Sequence, residues 1–211
     1  MSVANVPVPH LSQLGSRAPR VVALVLHGGR EFGEGPVPRH ALAYLRMVPF
    51  ARTLARLPDM AVFLLRYRVR GWNAPALDPV EDARWALAEI HSKFPGVPVV
   101  LVGHSMGGRV AFRVADDPAV TAVCALAPWC DPTDPVQQLA GRAVFIAHGK
   151  QDRVTNPRSS RDYARRAAQV TDRVDLRFVD GETHALLRKP RVWRDLVVQF
   201  GLDQLTHSRE G

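Results

Sequence analysis

The sequence predicts an α/β fold: a doubly wound, mostly parallel sheet of about six strands with helices on both faces. Three observations carry that expectation. Short β-branched apolar runs alternate along the chain with Gly/Pro-containing loops and longer segments of helical spacing, the pattern of parallel strands joined by crossover helices. The runs are apolar nearly throughout rather than at every second residue, as strands covered on both faces require. The length of 211 residues suits one domain with a substantial core. That domain is expected over residues 21–205, with an N-terminal extension at 1–20 and a C-terminal tail at 206–211.

The strands are expected at Val21 to Leu26, Ala61 to Arg66, Pro98 to Gly103, Thr121 to Leu126, Ala143 to His148 and Val174 to Val179. Between the first two, His40 to Leu57 has helical spacing, with Pro49 expected to kink it or mark its start. The next helix opens at Asp78-Pro79, where Asp can accept free N–H groups and Pro fits the first turn, and runs to about Phe94. Ser105 to Ala115 continues directly from the third strand, Asn156-Pro157 starts another helix, and Pro190 to about Leu205 closes the domain.

Composition removes several classes of function. Hydrophobic residues make up 46% and charged residues 23%, which excludes disordered and collagen-like chains. Apolar runs such as Val21 to Leu26 are six residues long, far short of the roughly 20 that span a bilayer. No secretory signal pattern opens the chain, so a cytoplasmic location is expected. Cys124 and Cys130 are expected to be reduced packing residues. The net charge of +8 comes from 28 basic residues, of which 25 are Arg, scattered along the chain. Without an aromatic-plus-basic strip, that charge does not point to nucleic acid.

The chemistry concentrates in Gly103-His104-Ser105-Met106-Gly107. A strand runs into this Gly-x-Ser-x-Gly and a helix leaves it, the setting of a nucleophile elbow. Small residues two before and two after let strand and helix approach while the turn presents the Ser105 hydroxyl. The Met106 N–H, at the positive end of the helix, can face the oxygen of a reacting carbonyl. The motif alone is weak, but its missing partners follow in the order acid, then His, each after an expected strand. Asp152, in His148-Gly149-Lys150-Gln151-Asp152, is the leading acid; Asp131, after the fourth strand, is the alternative. His184, in the loop between the last strand and last helix, is the leading base. His27, His104 and His148 sit in turns beside it and are read as structural. A metal site built from those histidines lacks ligand spacing and is not expected. The turn His27-Gly28-Gly29 offers a second oxyanion N–H, assigned to Gly29 with Gly28 as the alternative.

These residues together resemble the α/β-hydrolase superfamily, through His27-Gly28-Gly29, Gly103 to Gly107, Asp152 and His184, over about Val21 to Leu205. The resemblance implies a small cap-less serine hydrolase, similar to carboxylesterases, acyl thioesterases and dienelactone-hydrolase relatives, the last usually with Cys where this chain has Ser105. Two departures stand out. Only 20 residues precede Val21, which implies a trimmed sheet, and only about sixteen separate Leu126 from Ala143, which leaves no room for a cap domain. The implied activity is cleavage of a carboxylic ester or thioester through an acyl-enzyme, on a small-molecule acyl substrate and without cofactor. A non-catalytic ligand-binding protein on the same fold and a cofactor-free perhydrolase are the alternatives. Phe32, Trp72 and Trp129, with Met106, are the candidate acyl-pocket residues, and the loop Arg30 to Arg39 is a candidate cover for the site. Arg66, Arg68 and Arg70 either recognise an anionic group or are simply solvated.

Overall fold

In the computed structural model, which describes residues 7–208, every expected run forms a strand. The strands are His10–Gly15 (β1), Val21–Leu26 (β2), Met60–Arg66 (β3), Val99–His104 (β4), Val120–Leu126 (β5), Ala143–Gly149 (β6) and Val174–Val179 (β7). They form one seven-stranded sheet in the order β1-β3-β2-β4-β5-β6-β7. All neighbours pair in parallel except β1, which lies antiparallel to β3.

β1 falls within the stretch expected to be an extension, so the domain begins earlier than residue 21. Its sequence hid it. His10–Gly15 carries Leu11 and Leu14 three residues apart, neither a continuous apolar run nor an alternation, because this edge strand buries neither face fully. At the other end, the last helix runs two residues past Leu205 to His207, into the expected tail. Residues 1–6 and 209–211 lie outside the described residues.

Five helices cover the sheet: Leu42–Leu54 (α1), Asp78–Lys93 (α2), Met106–Arg113 (α3), Pro157–Ala167 (α4) and Pro190–His207 (α5). Alternation along each strand divides the core in two. Val22, Leu24 and Leu26 face α2, α3 and α4, whereas Val21, Ala23 and Val25 face α1 and α5. Both sets are buried, which is why the strands read as continuous apolar runs.

Two helix starts differ from expectation. α1 begins at Leu42, so Pro49 lies inside it, on the exposed side. Asp78 makes no capping bond to its own helix. Its carboxylate accepts instead from Arg68 Nη2 at 3.0 Å and from Asn73 Nδ2 at 2.9 Å. Asn156 does cap α4, accepting from the Arg158 N–H at 3.0 Å.

The connection from β5 to β6 holds only a short 3-10 turn, Gln137–Leu139, and no cap domain is inserted there. No helix among the described residues is long and apolar enough to cross a membrane. The chain leaves β2 toward β3 on one side and returns to β4 on the other, which makes a crevice at the carboxyl ends of these strands. His27-Gly28-Gly29 and Ser105 both emerge there.

Candidate active site

Ser105 adopts φ 56° and ψ −119°, a conformation that strains any side-chain-bearing residue. The turn closes because Gly103 and Gly107 bring backbones into contact. A Cβ on Gly103 would overlap the Gly107 carbonyl, and one on Gly107 would overlap the Leu26 carbonyl of β2. Neither obstacle is a flexible side chain. Gly107→Ala is therefore expected to destabilise the fold by about 3 kcal/mol, read as a lower urea midpoint with an unchanged slope; an unaltered midpoint would refute the tight packing.

The structure brings the three expected side chains together. His184 Nε2 lies 3.0 Å from Ser105 Oγ, and His184 Nδ1 lies 2.7 Å from Asp152 Oδ2. An ionised carboxylate only accepts, so Nδ1 carries the imidazole proton and Nε2 is left to accept from the Ser105 hydroxyl. The alternative acid, Asp131, does not reach this group. Its carboxylate accepts from Thr133 and lies 3.6 Å from Arg109 Nη2.

Asp152 is held on all sides. Oδ1 accepts from the N–H groups of Val154 at 2.7 Å and Thr155 at 3.0 Å. Oδ2, besides His184, lies 3.2 Å from His148 Nε2 and 2.9 Å from the Thr155 hydroxyl. Burial alone would raise this carboxyl's pKa. The hydrogen bonds from His148, His184, Val154 and Thr155 more than offset it and hold the group well below the usual carboxylate range. His148 Nδ1 is in turn 2.7 Å from Ser160 Oγ.

Thr155 and Glu182 are site residues that sequence reasoning missed. Glu182 is fully buried in the His184 loop, where its Oε1 accepts from Thr183 N and its Oε2 from Lys189 N and Trp193 Nε1. It thereby ties that loop to the start of α5. His104 completes the support by donating from Nε2 to the His184 carbonyl at 2.9 Å.

The expected oxyanion residues are neighbours. A side chain on Gly29 would overlap the Met106 thioether, and a Cβ on Gly28 would lie 3.3 Å from Ser105 Cβ. Among the described residues, the N–H groups of Gly28, Gly29 and Met106 find no backbone or side-chain acceptor. They are free to donate to a ligand.

Trp72 and Trp129 lie edge to face at 6.0 Å, with the Arg109 guanidinium 4.4 and 4.5 Å from their ring centres. Arg109 also forms a buried ion pair with Asp134 at 2.7 Å. Trp129 donates its backbone N–H to the Ser105 carbonyl at 3.1 Å, so this cluster braces the elbow. Phe32 is 67% exposed on the 30–39 loop.

That loop is pinned rather than free, through Arg70 N–H to Gly35 O, Gly71 N–H to Gly33 O and Gly33 N–H to Asn73 Oδ1. Arg66 and Arg70 serve the same purpose, donating to the carbonyls of Val37 and Pro36, while Arg68 pairs with Asp78 and Asp82. Cys124 and Cys130 are free and buried. No group of three His, Cys, Asp or Glu able to hold a metal occurs among the described residues.

Burial pulls His104 down to about 3, helped by the nearby His184, and His27 down to about 4 against the hydrogen bond to Gly28. The ordinary histidine value is 6.5. Between these values the unfolded chain binds protons that the folded protein refuses, so stability falls as pH falls. Asp82, pushed up to about 6 by burial, works in the opposite direction, one group against two. The melting temperature at pH 5 is expected to be lower than at pH 7, and scanning calorimetry that found it equal or higher would contradict the assignment.

A family model described as the alpha/beta hydrolase family matches residues 23–209. No curated protein matches the sequence. Similar solved structures include an alpha-beta serine hydrolase homologue from Coxiella burnetii, with 18% identity, TM-score 0.70, and coverage of 90% of this chain and 89% of that one. XC6422 from Xanthomonas campestris, described as an a/b serine hydrolase without lid, is 19% identical with TM-score 0.69 and coverage of 93% and 89%. The thermophilic esterase Est2 from Thermogutta terrifontis, in its butyrate-bound form, is 19% identical with TM-score 0.70 and coverage of 96% and 91%. At these identities the structures speak for the fold, and the match over 23–209 speaks for the kinship: the chain belongs to the alpha/beta hydrolase family.

Proposed function

We propose that this protein is a serine hydrolase that cleaves a carboxylic ester or thioester through an acyl-enzyme. The observation that carries the reading is the continuous hydrogen-bonded line from Ser105 Oγ through His184 to Asp152 Oδ2, with spacings of 3.0 and 2.7 Å. In the first half-reaction, Ser105 Oγ attacks the acyl carbon while its proton passes to His184 Nε2. The negative oxygen of the tetrahedral intermediate accepts from the N–H groups of Met106 and Gly29. The intermediate collapses as His184 returns the proton to the departing alkoxide or thiolate, releasing an alcohol or thiol. A water then attacks the acyl carbon, giving its proton to His184, and the carboxylic acid leaves as Ser105 recovers its own. Asp152 holds the imidazole in the required tautomer and balances its positive charge throughout.

Labelling with a fluorophosphonate tests the reading directly, because only an activated serine reacts at a useful rate. The expected result is a single modified site at Ser105, together with turnover of p-nitrophenyl esters that the label abolishes. Turnover that persists in fully labelled protein would overturn it.

A further inference from the structure

We propose that the groove between α1 and the start of α5 is a subsite for an amphiphilic anion, in which a hydrocarbon chain lies along the groove and an oxyanion on the same molecule meets Arg46. Its place in the reaction rests on the serine-hydrolase reading above; the binding itself does not.

The groove encloses about 560 Å3, within the range of about 300–1,000 Å3 usual for small-molecule sites. Leu42 and Leu45 form part of the α1 wall, and Leu187 stands opposite, in the segment that follows His184. These leucines are 77%, 43% and 68% exposed. Three large aliphatic side chains open to water around one concavity make a surface that gains by being covered.

The groove adjoins a cavity at the expected oxyanion turn. Leu42 also lines a second cavity of about 400 Å3 whose wall includes Gly28 and Gly29. In the proposed complex, a chain leaving a carbonyl held at Gly29 would cross Leu42 to reach the groove. On the opposite wall the lining reaches Ala185, the residue after His184.

Charge selects among apolar occupants. The charged side chains of the lining are Arg46, Arg191 and Arg194, with no Asp or Glu. Arg194 pairs with Asp195. Among the described residues, Arg46 and Arg191 have no carboxylate partner. Arg46 is half-buried, and burial draws its guanidinium below the usual value, the mark of a cation short of compensation. A carboxylate or phosphate oxygen would supply it, and the guanidinium fork suits either. A neutral lipid would leave Arg46 as it is.

Titration calorimetry with decanoate and decan-1-ol as probes tests this in the intact protein. Decanoate is expected to bind saturably and more tightly than decan-1-ol. Arg46→Gln should weaken decanoate about tenfold while leaving decan-1-ol unchanged, Arg46→Lys should recover part of the loss, and Leu45→Gln should weaken both. Decanoate should also slow fluorophosphonate labelling of Ser105. Absence of saturable binding, or equal binding of the two probes with Arg46→Gln silent, overturns the subsite. The two readings fail separately: an unlabelled Ser105 with decanoate still bound sinks the hydrolase and spares the groove. A labelled Ser105 with no decanoate bound does the reverse.

Discussion

Ser105→Ala is expected to lower kcat for ester hydrolysis by a factor on the order of 10⁶, leaving only what oxyanion donors and binding supply. The loss should not come from unfolding. Among the described residues the Ser105 side chain hydrogen-bonds to His184 alone, and Ala tolerates the backbone conformation as poorly as Ser does. Ser105→Gly sharpens the point. At φ 56° glycine relieves strain worth about 1 kcal/mol, so this variant should melt higher than wild type while being equally inactive. A Ser105→Ala protein with wild-type turnover, measured by p-nitrophenol release, would remove the nucleophile from the proposed mechanism.

Asp152→Asn is expected to cost kcat on the order of 10⁴. With the Asn carbonyl accepting from the Val154 and Thr155 N–H groups, which now bond Oδ1, its NH2 would face His184, His148 and Thr155. His184 would then have to accept at Nδ1 and carry its proton on Nε2, pointing at Ser105 and unable to take the serine's proton. The wild-type carboxyl, held well below the usual range by its hydrogen bonds despite burial, stays ionised wherever esters are assayed. Activity lost in mild acid therefore reports a proton landing elsewhere. A kcat for Asp152→Asn within tenfold of wild type, in steady-state assays, would show that the imidazole needs no such partner.

The parts of the fold that could be read from the chain were those with a strong local signature. Strands buried on both faces announce themselves as unbroken apolar runs, and β2 and β4 did so. β1 did not, because neither of its faces is fully buried and its apolar residues keep no period, whereas the other edge strand, β7, alternates Val174, Leu176 and Phe178 with Asp175 and Arg177. The start of α2 was legible from Asp78-Pro79, yet the role of Asp78 was not, since Arg68 and Asn73, in the loop ahead of the helix, claim its carboxylate. The same division holds at the site. Ser105, Asp152 and His184 follow from motif, chain order and position after strands. Thr155 reaches the Asp152 carboxylate within one local turn, but the other supporting groups depend on distances between segments: Glu182 under the His184 loop, and Arg109 between Trp72 and Trp129. No spacing in the sequence encodes those meetings.

The indole pair around Arg109 gives the protein a built-in optical reporter. Trp129 is bonded through its backbone to the Ser105 carbonyl, and Trp72 shares its cation. Trp85 lies apart on α2, and Trp193, on α5, donates to Glu182 under the His184 loop. A change at the elbow that shifts the guanidinium against either ring is expected to alter their emission, so the acylation proposed above would be followed in real time without attaching a dye.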